Sequence, residues 1–134
     1  MKVIVCGDRK WGVTEEGAST SEVELAASQR RSTRVRIELL AREDAHVEVI
    51  VGGANGADSH ARLDARALNL DVTVVMAQWD RYGKGAGMKR NQEMLDFKPN
   101  LVIAFHRDLL KSKGTRHMVT IARKAGVPVE VIGT

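Results

Sequence analysis

Aromatic residues are scarce in this chain, at 4% of 134 positions. That argues against a surface that binds single-stranded nucleic acid by stacking its bases. There is one cysteine, Cys6, which excludes an internal disulfide and any multi-cysteine metal site. It closes an apolar run, so it reads as a buried small hydrophobe rather than a nucleophile. No stretch is long and apolar enough to span a membrane as a helix. The N-terminus leads straight into an apolar run, without a basic n-region and cleavage site, which predicts a cytoplasmic protein. Neither Gly-x-Gly-x-x-Gly nor a Walker lysine with its Ser/Thr occurs, so a dinucleotide fingerprint and an NTPase P-loop are both excluded. His46, His60 and His106 lack metal-ligand spacing, so no metal is assigned, and no cofactor is identified. Repeats, low-complexity tracts and linkers are absent. The excess of one charge is small: 21 basic against 17 acidic residues give +4 and a pI near 9.5. Such a charge favours anionic ligands without requiring a polymer.

What is present suits one domain over residues 1–134, with hydrophobic residues at 43% supplying one core. Five short apolar runs, at 2–6, 47–51, 72–76, 101–105 and 129–132, lack clean alternation, as strands buried on both faces do. Between them lie helical stretches at about 21–42, 57–68, 86–96 and 115–124. Ser21-x-x-Glu24 suggests a capping box for the first, with a break expected near Ser32-Thr33. Gly126 then Pro128 stop the last. Residues 13–20 read as a loop beside the predicted ligand edge. Strands alternating with helices of this length imply right-handed crossovers, a parallel sheet and an α/β fold.

Glycine-rich turns follow three of the strands. Gly52-Gly53-Ala54-Asn55-Gly56-Ala57-Asp58 is one, and residues 79–91 hold the second, around Gly83-Lys84-Gly85-Ala86-Gly87. The third is Lys111-Ser112-Lys113-Gly114-Thr115. Glycine lets backbone N–H groups approach a ligand, and the helix that follows offers unpaired donors and a positive dipole end. Three such turns at strand carboxyl ends describe an anion-receiving edge. Gly52, Gly53 and Gly56 would wrap a phosphate or ribose, with Asp58 contacting a hydroxyl or ordering the turn. Arg90 could grip a phosphate in bidentate fashion with Asn91 nearby, and Trp79 or Tyr82 could lie against a base or sugar. Ser112, Gly114 and Thr115 would face an anion at the last helix start, with Lys111 and Lys113 adding positive potential. Arg30, Arg31, Arg34 and Arg36 form a basic cluster, read here as a solvated helix face because no DNA-binding motif accompanies it.

Five motifs in order resemble the YspA-like (cpYpsA-related) branch of the SLOG superfamily, over nearly the whole chain. They are Gly7-x-Arg9-x-Trp11, Gly52-Gly53-Ala-x-Gly56-Ala57-Asp58, Trp79-x-x-Tyr82-Gly83-Lys84-x-Ala86-Gly87-x-x-Arg90-Asn91-x-x-Met94, Ala104-Phe105 and Ser112-x-Gly114-Thr115-x-x-Met118. The superfamily includes the LOG phosphoribohydrolases and the DNA-processing protein DprA. The resemblance implies a Rossmann-like three-layer domain with sheet order 3-2-1-4-5 and a pocket for nucleotide-derived ligands, and it adds Gly7 and Arg9 to the binding set. It also implies pairing of two copies through helices. LOG enzymes use an arginine, matched by Arg90, and a glutamate whose position here is Met118. A thioether cannot stabilise the oxocarbenium-like state of N-glycosidic cleavage as a carboxylate does. Glu93 or Asp58 could substitute only if folding brings one to the ribose. Asp8 replaces a small residue in the first turn, where it would repel a phosphate unless it meets a ribose hydroxyl.

The expected function is binding of a nucleotide or nucleotide-derived molecule, as a sensor or sequestering protein. A nucleoside-monophosphate phosphoribohydrolase is the alternative, and a DprA-like nucleic-acid accessory protein is a third reading. No residue is assigned a catalytic role. The arginine-, alanine- and valine-rich composition suits a high-GC bacterium or its phage.

Overall fold

A computed structural model describes residues Met1–Thr134. The strands are β1 (Lys2–Gly7), β2 (Glu48–Gly52), β3 (Asp71–Val75), β4 (Leu101–Phe105) and β5 (Val129–Ile132). The helices are α1 (Thr20–Glu43), α2 (Ala57–Ala67), α3 (Trp79–Tyr82), α4 (Ala86–Asp96) and α5 (Gly114–Lys124). All five strands pair in parallel, in the order β3-β2-β1-β4-β5. This is the Rossmann-like α/β arrangement expected from the sequence. No helix is long and apolar enough to cross a membrane.

The near-continuous apolar runs divide by the period-two geometry of a strand. Val3 and Val5 of β1 join Val49, Val51, Ile103 and Phe105 on one face, under Ile37 and Leu40 of α1 and Ala57, Ala61 and Ala65 of α2. Ile4 and Cys6 join Ile50, Val102 and Ala104 on the other face, under Met94 of α4 and Met118, Val119 and Ala122 of α5. Both faces of the three central strands are therefore covered, which is why their sequences do not alternate. Alanine on α2 lets that helix pack close to the sheet.

Helix α1 differs from expectation at two points. Its cap is Ser19, whose Oγ accepts from Glu22 N at 3.2 Å and lies 3.1 Å from Glu22 Oε1. The capping pair thus sits two residues before Ser21-x-x-Glu24. The helix also runs unbroken through Ser32-Thr33 for 24 residues. Thr33 is satisfied within it: Oγ1 donates to the Gln29 carbonyl at 3.1 Å and accepts from Trp11 Nε1 at 3.0 Å. Trp11 is fully buried, its ring centroid 5.5 Å from that of Phe105. A hydroxyl that could have bent the helix instead pins the chain after β1 to it.

Three helices end on a left-handed residue. At α5 the Val127 N–H reaches the Ala122 carbonyl and Gly126 N–H the Arg123 carbonyl, with Gly126 at φ +78°. The same pair of bonds closes α2 around Asn69 at φ 57°. Helix α4 ends on Lys98 at φ 58°, followed by Pro99. These caps satisfy terminal carbonyls and turn the chain into β3, β4 and β5. Residues 79–85, read as a glycine-rich connection, form α3 and a 3-10 turn over Gly83–Gly85.

Candidate functional site

The chain runs outward from β1 through β2 to β3, then returns to place β4 on the other side of β1. The loops after β1 and β4 diverge at that switch, leaving a crevice at the carboxyl edge. A cleft of about 430 Å³ occupies it. The turn after β1 contributes Gly7, Asp8, Arg9 and Lys10. Gly52, Ala54 and Asp58 come from the turn after β2, Arg90 and Asn91 from α4, and His106 with residues 111–115 from the segment after β4. Cys6 and Met94 also line it.

Each wall is held by the fold. The Asp8 carbonyl accepts from both Trp11 N and Ala57 N at 3.1 Å, which ties the first turn to the start of α2. Gly56, at φ +74°, passes so close to the Asp8 and Arg9 backbone that a Cβ would collide with both. Only glycine combines that conformation with that approach. Buried Asn91 joins α4 to α5, donating to the Gly114 carbonyl at 3.1 Å, and its Oδ1 lies 3.3 Å from Arg90 Nε. Arg90 lies beside Gly52, where a Cβ would collide with its Nη1 and stand 2.8 Å from Asp58 Oδ2. The missing side chain at Gly52 is thus the space that the guanidinium uses.

The cleft is electropositive. It holds Arg9, Lys10, Arg90, Lys111 and Lys113 against the carboxylates of Asp8 and Asp58. Of these cations only Lys111 has a carboxylate within 4.0 Å, Asp108 at 3.5 Å. Asp58 is only 6% exposed and forms no ion pair. Its Oδ2 accepts a long bond from Ala54 N at 3.4 Å. Burial pushes its carboxyl up to about 7, against the opposing pull of Arg90, the Ala54 N–H and Arg9. Asp58 therefore changes charge near neutrality, in range for proton exchange with a bound molecule. Burial, and secondarily the nearby Asp58, raise the Cys6 thiol far above its ordinary value, so it stays protonated.

Of the sequence-predicted residues, Gly7, Arg9, Gly52, Asp58, Arg90, Asn91, Ser112, Gly114 and Thr115 share this cleft. Gly53, Asn55 and Trp79 line a neighbouring cavity. Gly56 and buried Ala57 serve the turn from beneath. Gly83 and Lys84 lie in the 3-10 turn and line neither cavity. Two expected anion donors are engaged within the protein: Ala57 N bonds to the Asp8 carbonyl, and Thr115 N bonds to Ser112 Oγ at 3.1 Å. Tyr82 faces cations instead of the cleft, with Lys89 Nζ 4.1 Å from its ring centroid. Met118 is fully buried in the core. Glu93 is exposed on α4 and lines neither cavity, whereas Asp58 does reach the cleft. Sequence reasoning did not single out Lys10 or His106 for the site. Both lie just beyond the ends of the two strands that flank the switch, and that position is the signal that could have found them.

In the arginine cluster on α1, Arg31 and Arg34 are exposed, while Arg30 and Arg36 bond within the protein. Arg30 Nη1 donates to the Gly12 carbonyl at 2.8 Å. Arg36 makes a bidentate pair with Glu130 at 2.9 and 2.8 Å.

Over 86 residues the chain is 38% identical to the Gene 61 protein of Mycobacterium phage D29, which spans 60% of this chain and 67% of that protein. No family model and no solved structure matches the chain.

Proposed function

The chain belongs to the family of the Gene 61 protein of Mycobacterium phage D29, and we propose that it binds a nucleotide or nucleotide-derived phosphate in the switch-point cleft, as a sensor or sequestering protein of the SLOG type. The observation that carries this reading is the set of cations without carboxylate partners, Arg9, Lys10, Arg90 and Lys113, around one crevice. An unpaired guanidinium beside a glycine at a strand end suits bidentate capture of a phosphate. The five ordered motifs shared with the YspA-like branch support the same ligand class.

Titration calorimetry with AMP tests the reading. The wild-type chain binds, and Arg90→Ala weakens binding by about tenfold or more, the worth of one charge-assisted hydrogen-bond pair. Unchanged affinity in the variant would remove Arg90 from the site. A thermal-shift panel of nucleotides, ADP-ribose, NAD and ribose phosphates extends it, since a ligand at 100 times its Kd adds about 2.7 kcal/mol. Pairing of two copies through helices accompanies the resemblance, and a scattering mass of a single chain would reject it.

One observation favours hydrolysis as a second reading. Asp58 supplies a carboxyl in the cleft that titrates near neutrality, although the glutamate position of LOG enzymes is core Met118. In that reading Asp58 stabilises positive charge developing on a ribose during N-glycosidic cleavage. Chromatography of AMP after incubation decides it: no released adenine means binding without turnover.

A further inference from the structure

A second cavity, of about 280 Å³, adjoins the cleft on the β3 side. It is lined by Arg9, Gly53, Ala54, Asn55, Met76, Ala77, Trp79 and Arg90, and it shares Arg9, Ala54 and Arg90 with the cleft. The two compartments differ in chemistry. The cleft is rich in cations. The neighbour places a 50% exposed indole and a 61% exposed thioether beside backbone amides and one carboxamide.

The two tryptophans have divergent roles. Trp11 is sealed in the core with its N–H bonded. Trp79 sits on α3, where a Cβ at Gly87 of α4 would lie 3.5 Å from the edge of its ring. Exposure of so large an apolar ring costs hydration free energy unless something covers it. Met76 follows the end of β3 and packs its thioether against Gly53. Met76 and Trp79 line the same cavity, and a flexible, polarizable thioether on that wall adapts well to a flat ring.

We infer that the Trp79 and Met76 cavity is a subsite for the planar base of a nucleotide whose phosphate lies in the adjoining cleft, with Arg9 and Arg90 at the junction between them. The inference rests on the reading of the cleft as a phosphate site and adds what that reading leaves open: the ligand carries a base and spans two compartments. Stacking on Trp79 supplies affinity for any base, and the Asn55 carboxamide, on the wall of the same cavity, offers a donor and an acceptor to a base edge.

Calorimetry with two probes, AMP and ribose 5-phosphate, separates the compartments. Wild-type protein binds AMP more tightly than ribose 5-phosphate, and Trp79→Ala weakens AMP by about tenfold while leaving ribose 5-phosphate unchanged. Trp79→Phe keeps most of the AMP affinity because it retains a stacking face. It also leaves buried Trp11 as the sole indole, so the fluorescence quenching by AMP expected of the wild type is lost. Equal loss of both probes in Trp79→Ala, or no loss of AMP, overturns the base subsite while the phosphate cleft stands. If wild-type protein binds neither probe, the phosphate reading falls and the subsite with it.

Discussion

Asp58 concentrates the chemistry of the cleft in one side chain. It is almost fully buried, has no ion-pair partner, and its carboxyl is pushed up to about 7 by burial. A carboxyl raised above its unfolded value is protonated more readily in the folded chain. The stability this group allows is therefore fully present below about pH 4, its unfolded range, and is lost progressively as pH rises to about 7. Asp58→Asn keeps the shape and removes the charge. The variant is expected to melt higher than wild type at pH 8, with the gap closing by pH 4.5, in thermal scans at both values. A constant gap would mean that the carboxyl titrates at its ordinary pKa. Such a side chain, costly when charged, is a common signature of a binding or catalytic group.

Among the elements, helix ends and turns account for most of what was hidden in the sequence. Strand existence, type and order along the chain were legible because buried parallel strands leave apolar runs whichever neighbours they find. Leu101–Phe105 and Val129–Ile132 matched their expected bounds. The order across the sheet came from the motif resemblance, since no single run encodes its neighbours. The α1 cap was misplaced because Ser19 and Ser21 present the same side chain, each three residues before a glutamate. The expected break at Ser32-Thr33 failed because the partner that satisfies Thr33, Trp11, lies 22 residues away. At the cleft, residues of the first and third glycine turns were legible, with Arg90 and Asn91, whereas Gly83 and Lys84 of the second turn stand outside it. Lys10 and His106 were not, because their role depends on which strands become neighbours. The α4 terminus yields a prediction at this scale. Lys98 holds a left-handed conformation that costs an L-residue about 1–2 kcal/mol, part of which glycine returns as unfolded-state entropy. Lys98→Gly is expected to stabilise the fold by about 0.5–1 kcal/mol in chemical denaturation. A loss of stability would mean that the lysine makes a contact outweighing its backbone strain.

Taken whole, the molecule puts its two apolar layers between helices and sheet and its polar chemistry at one edge of that sheet. The layers meet the edge at the end of β1. There Cys6 belongs both to the core beneath α4 and α5 and to the cleft floor. As the chain's one thiol, 8% exposed, it is a built-in kinetic clock for breathing of the crevice. An aromatic disulfide reagent reaches the sulfur only when the walls part, so native protein should be modified far more slowly than chain unfolded in guanidinium. AMP at saturating concentration should slow the native rate further, while the unfolded rate stays unchanged. Equal rates for native and unfolded chain would mean that the crevice stands open to its floor. A native rate indifferent to AMP would mean that AMP does not cover the end of β1. Time-resolved absorbance of the released aromatic thiolate thus reads occupancy through the protein's own cysteine, with no residue introduced.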